Sequence, residues 1–201
     1  VLDVMKASFS DVLLATVYVS GCRSFDAVRR RVIQYMRREA ANANPLLSCL
    51  EVPRLPKGGS IEISLICSSG SAEGAEEDEL SVAAAEEDTG PSARGSVSCS
   101  YRVRGSCAAV VADFCCKGQH SSLSSAEVFE MIRACTKSMP EGWANRKRGE
   151  GMVQLSFLAN IITNEVAGAA ADEVLQRQYG CAVSLMPVVA LEGSSVLRLT
   201  P

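Results

Sequence analysis

The sequence predicts an α+β fold built from two related domains in tandem, and three observations carry that expectation. The run VLLATVYV, residues 12–19, is β-branched and apolar on both faces, the pattern of a central strand covered on each side. Apolar residues at helical spacing follow it, and after them come two short strand-like runs. The same order then returns: VQLSFLANIITNEVAGAAADEVLQRQYG with VSLMPVVALEG lies, type for type, over LLATVYVSG, FDAVRRRVIQYM and LSCLEVPRLPKG. That recurrence points to an internal duplication.

After the first strand, Ser24 is placed to cap a helix in which Phe25, Val28, Val32, Tyr35 and Met36 share the core face. Arg29, Arg30, Arg37 and Arg38 face away; the stripe is read as a solvated helix face, with a nucleic-acid surface as the alternative. SCLEV and SIEISLIC supply two further strands joined by RLPKGG. In the second, alternation sets Ile61, Ile63 and Leu65 on one face and Glu62 with Ser64 on the other. Downstream, VSCSYRVRG and SCAAVVADFCC read as a hairpin turning at Gly105 and Ser106. A capping box of Ser124 and Glu127 opens a helix with Val128, Met131, Ile132 and Cys135 on one face, closed by Pro140. The strand MVQLSFLANII, a helix from Asn164 to Tyr179 stopped by Gly180, and the strand CAVSLMPVVAL complete a ββαβαβ half.

Charge divides the chain. Its net charge is −3, yet residues 71–90, SAEGAEEDELSVAAAEEDTG, hold 8 of the 23 acidic residues and no Lys or Arg, leaving 20 basic against 15 acidic residues elsewhere. With one Leu and one Val the segment buries too little surface to offset its ordering entropy, so residues 69–96 are expected to be a disordered acidic linker. An acidic docking motif is the alternative. The expected domains are then residues 1–68 and 97–201. The first lacks an opening hairpin, and VLDVMKAS reads as the remainder of a first helix, so the chain is expected to be truncated at its N-terminus.

Composition excludes several function classes. The longest apolar runs fall well short of the ~20 residues of a membrane-spanning helix, and the start at Val1 has neither an initiator Met nor the order of a secretory signal. Nine cysteines are an odd number with no C-x-x-C pair, several of them inside apolar runs, which fits a reduced, cytoplasmic protein. His120 is the only histidine, and Cys115 and Cys116 would point to opposite faces of a strand, so no metal or other cofactor is expected.

The first half resembles the RidA/YjgF family, also called endoribonuclease L-PSP, through TVYV at 16–19, Phe25 and Val28, and above all SCLEVPRLPKGGSIEIS at 48–64. The resemblance implies small, trimeric, chorismate-mutase-like α+β domains, here in tandem. Active members hydrolyse enamines and imines to ketoacids and ammonia, holding the substrate carboxylate with an arginine just before the Ser-Cys pair. A planar guanidinium suits that task because its fork matches both oxygens. In this sequence that position is Leu47. Cys49 and Glu62 match the family's positions, and Glu62 would be the acid that orients a water or moves a proton. Arg54 is the nearest arginine able to stand in as anion anchor.

The tandem order, with an ending like VSLMPVVALEG, is similar to the C-terminal region of eukaryotic diphthine–ammonia ligases, whose catalytic ATP-pyrophosphatase domain has no counterpart motif here. KGGS at 57–60 joins two strands and leads into no helix. The leading expectation is an oligomerising or small-metabolite-binding module, self-associating as a trimer or pseudo-trimer, without membrane or nucleic-acid partners. An imine/enamine deaminase and an L-PSP-type ribonuclease are the alternatives. His120 in KGQHSSLSS reads as a surface-loop residue, WANRKRGEG at 143–151 as a solvated basic loop, and Gly149 with Gly151 as no dinucleotide motif.

Overall fold

The computed structural model describes residues 2, 7–21, 24–68, 77–88, 94–104, 107–116, 125–137, 156–162, 182–191 and 195–200. The chain divides into two compact units: Val1–Ser81 with Ser100–Val110, and Val82–Cys99 with Val111–Pro201. Among the described residues no helix is long and apolar enough to cross a membrane.

In the first unit the expected order of strand, helix, strand, strand forms: β1 (Val12–Val19), α1 (Phe25–Glu39), β2 (Leu46–Glu51) and β3 (Ile61–Cys67). β1 lies between β3 and β2, antiparallel to the first and parallel to the second. Its central place explains its composition, since every residue of β1 except Tyr18 is buried. The Ser24 hydroxyl accepts the Ala27 N–H at 3.3 Å and caps α1 as expected. Val32 and Met36 then bury against Ala15, Val17, Val19, Leu47 and Cys49, with Phe25, Val28 and Ile33 at the margin.

Two expectations are corrected here. Tyr35 does not join the core; it is 59% exposed and meets the Phe9 ring edge-on, with 5.7 Å between centroids. Val32 and Met36, four residues apart, fix the buried stripe, and Tyr35 stands about 100° round the helix from Met36. The second correction concerns β3. Its alternation is as read, but Ile61 and Ile63 are 51% and 44% exposed while Leu65 and Cys67 pack on the core. α1 packs over β2, and β3 is the edge strand, so cover runs out at its first residues.

The β2–β3 connection turns at Pro56–Gly59, where the Gly59 N–H donates to the Pro56 carbonyl at 3.1 Å. Both central residues have positive φ, 55° at Lys57 and 71° at Gly58, as in a type I′ turn. The Ser20 hydroxyl donates to the Gly59 carbonyl at 3.1 Å, tying the turn to the end of β1. Gly58→Ala is expected to cost about 1–2 kcal/mol through the left-handed conformation alone, because no atom lies within 4 Å of the added methyl. A urea midpoint unchanged from wild type would contradict this.

A six-stranded sheet runs β4 (Glu77–Asp88), β5 (Arg94–Arg104), β6 (Cys107–Cys116), β10 (Ser195–Thr200), β7 (Ser156–Ile162) and β8 (Ala182–Val188), and the short β9 (Ala190–Leu191) lies outside it. α2 (Ser125–Lys137) buries Val128, Met131, Ile132 and Cys135, the face its spacing predicts. Glu77–Asp88 is a strand where the composition predicts no order. The alternation of Leu80, Val82 and Ala84 with polar or small residues is compatible with an extended backbone. β10 is a strand that sequence reasoning does not foresee, and it lies in the sheet's interior, antiparallel to both β6 and β7.

Gly95 on β5 is required by a close approach, since a Cβ there would stand 2.6 Å from the Cys115 carbonyl oxygen and against the Phe114 ring. Expectations at Gly105 and Ser106, His120, the Ser124 cap, Pro140, residues 143–151 and the helix 164–179 lie outside the described residues.

Candidate functional site

The register across β3, β1 and β2 decides which residues can meet. Val17 lies opposite both Cys49 and Ile63, and Tyr18 opposite both Leu50 and Glu62. Aligned residues share a sheet face, and their immediate neighbours take the other. Leu47 and Cys49 therefore turn toward α1, at 6% and 0% exposure, within the cluster of Val32 and Met36. Glu62 is exposed on the opposite face. The fold thus brings Leu47 and Cys49 together and sets Glu62 apart from both. Arg54 is exposed in the loop that follows β2.

What Glu62 does meet is a polar stripe. Ser64, Thr16 and Ser48 align across the three strands, one step along from Glu62 and Tyr18. Thr16 and Ser48 are buried, at 6% and 0%, whereas Glu62 and Ser64 are exposed. The residues these three strands contribute to that face, from Leu14, Leu46 and Ile66 to Tyr18, Leu50 and Glu62, include no basic side chain. Chemically the accessible part of the patch offers the Glu62 carboxylate, the half-buried Tyr18 phenol and the Ser64 hydroxyl: hydrogen-bonding groups for a neutral polar ligand, and a carboxylate able to orient water, but from these strands no cation to hold an anionic substrate.

Tyr18 is the residue that sequence reasoning passes over. Its phenol is pushed above the ordinary value of 10.0, first by burial and second by the charge of Glu62, so at neutral pH it stays a hydrogen-bond donor. The folded chain holds that proton more tightly than the unfolded chain. This contribution to stability is therefore whole below pH about 10 and is lost as pH rises through the folded-state value. Glu62→Gln removes only the smaller cause, so ultraviolet titration, with Tyr18→Phe assigning the signal, is expected to find the phenol lowered yet still above 10.0. No change on Glu62→Gln would separate the two side chains. The even-numbered positions of TVYV already place Thr16 and Tyr18 on one face, but nothing in the sequence aligns them with Glu62.

Cys49, Cys67, Cys99, Cys115 and Cys135 are free thiols. Burial, and then the neighbouring Asp11 carboxylate, push the Cys67 thiol up, which makes it a poor nucleophile at neutral pH. Among the described residues no three potential ligands gather to hold a metal ion.

No curated protein and no solved structure matches the chain. A family model does: residues 1–68, about a third of the chain and the stretch that carries β1, α1, β2 and β3, match the family described as Endoribonuclease L-PSP.

Proposed function

We propose that residues 1–68 act as a RidA-type module for self-association and small-metabolite binding, without the family's imine/enamine deaminase chemistry. The observation that carries this reading is Leu47: where an anion-binding arginine is expected, an apolar side chain is packed beneath α1, and the face holding Glu62 has no basic residue from β1, β2 or β3. A ketoacid precursor needs its carboxylate held, and Arg54, exposed beyond β2, gives no support for a substitute. Self-association is supported by β3, which among the described residues is an edge strand, and by its two exposed isoleucines, Ile61 and Ile63. A trimer or pseudo-trimer of such domains would place the Glu62 and Tyr18 stripe at a subunit boundary, where ligand clefts are common.

The test is to generate 2-aminoacrylate in the presence of the purified chain and follow pyruvate and ammonia, with the solution mass measured alongside. The expected result is a defined oligomer and hydrolysis at the background rate. Robust turnover abolished by Glu62→Ala would overturn the reading in favour of the deaminase, which the pairing of Glu62 with Tyr18 otherwise favours.

At a finer level, the tandem order read in the sequence supports assigning the chain to the accessory C-terminal region of a cytoplasmic diphthine–ammonia ligase, acting in diphthamide synthesis. The natural reading frame tests this: it is expected to encode an ATP-pyrophosphatase domain upstream, and a different upstream domain would remove the assignment.

A further inference from the structure

The helix that covers the first unit's core turns an arginine surface outward. Arg30, Arg31, Arg37 and Arg38 of α1 are all exposed, and Gln34 between them is exposed as well. Arg30 donates from Nε to the Asp26 carbonyl at 3.3 Å, whereas Arg31, Arg37 and Arg38 have no acidic partner among the described residues. The two arginines of the last turn sit favourably at the helix C-terminus. Arg30 and Arg31, near its middle, gain nothing from that end. All four are arginines, with no lysine in the helix, and the guanidinium fork is the cation suited to paired contacts with carboxylates. Arg31 and Arg38 lie four and three residues from exposed Tyr35, on one side of the helix.

The same chain carries the matching charge. Residues 71–90 hold eight acidic residues and no basic one, and Glu77–Asp88 within them is an extended strand, β4, at the edge of its sheet next to β5. Every copy therefore bears one arginine face and one acidic strand. Two different complementary patches on one chain can meet head to tail, or reciprocally across a two-fold axis with α1 of each copy on β4 of the other. We propose that the arginine face of α1 docks the acidic strand Glu77–Asp88 of a second copy. β4 is hydrogen-bonded to β5 at the edge of its sheet. The contact between α1 and β4 is separate from the apolar association at β3, and salt distinguishes them: charge contacts weaken as the screening length falls from about 10 Å at 0.1 M to about 3 Å at 1 M salt, while apolar burial does not.

Sedimentation velocity on the full chain over a range of concentrations, at about 0.1 M and about 1 M salt, is the experiment. Association that grows with concentration at low salt and disappears at high salt is expected, and the double variant Arg31→Glu with Arg38→Glu should weaken it about tenfold or more. Circular dichroism checks that the variant helix is intact. Should that variant not fold, Glu77→Gln with Asp78→Asn and Glu79→Gln must produce the same loss from the acidic side. Mixing the two kinds of variant should restore pairwise association, because the intact acidic strand of one meets the intact arginine face of the other, and a chain with Glu77→Arg and Asp78→Arg should bind the Arg31→Glu, Arg38→Glu chain. A mass indifferent to salt and to these substitutions overturns the proposal. So does a concentration-independent single-chain mass at low salt, or a variant that loses binding to polyuridylate RNA while its self-association is unchanged.

Discussion

Asp113→Ala is expected to destabilise the second unit by about 3–5 kcal/mol, because it takes the bidentate carboxylate from a buried guanidinium. Arg198 is 4% exposed and donates twice to Asp113, from Nε to Oδ1 at 2.5 Å and from Nη2 to Oδ2 at 2.9 Å. The two residues lie opposite each other on β6 and β10, so the pair also marks one register of that antiparallel ladder. Urea denaturation measures the loss. The informative control replaces both partners, Asp113→Leu with Arg198→Met. A buried pair exchanged for apolar groups is often neutral, so the double variant should recover most of the stability. If Asp113→Ala costs less than about 1 kcal/mol, the pair behaves like a surface ion pair and the burial argument fails.

Leu47→Arg is the second substitution with a large expected effect. It is also the obvious attempt to restore a deaminase, since it supplies the arginine that the resemblance to the RidA/YjgF family leads one to expect there. In this fold the side chain enters the α1-side core among Ala15, Val17, Val32, Met36 and Cys49, so a guanidinium there would be buried in apolar surroundings. A loss of more than about 4 kcal/mol is expected, together with no gain in 2-aminoacrylate hydrolysis. A stable, active Leu47→Arg chain would mean that the side chain reaches a carboxylate this packing does not provide.

Much of the first unit was legible because its signals are local. Eight β-branched or apolar residues in a row specify β1, and Ser24 followed by residues at 3.6 spacing specifies α1. On α2, the residues Val128, Met131, Ile132 and Cys135 obey the same rule. The misses are non-local. β10 carries a charge in its middle, and SVLRLT reads as an interior strand only once Asp113, 85 residues earlier, is known to neutralise Arg198. The burial of Ile61 and Ile63 depends on how far α1 reaches across the sheet. Within the candidate site, alternation alone separates Glu62 from Ile61 and Ile63. Placing Cys49 on the other face needs the alignment of β2 and β3 through β1, which the left-handed turn at Lys57 and Gly58 helps to set.

The position of β10 also has a temporal side. Chains are made from the N-terminus at about 5–20 residues per second, so β6, β7 and β8 exist before the strand that must lie between β6 and β7. Until residues 195–200 arrive, the sheet has two open ladders facing each other across a gap, and each can pair with any other strand at hand. Synthesis rate, chaperone access and crowding by sister chains should therefore govern the pairing of β6 and β7 with β10 more than that of β1, β2 and β3 with one another, since those three strands are complete by residue 67.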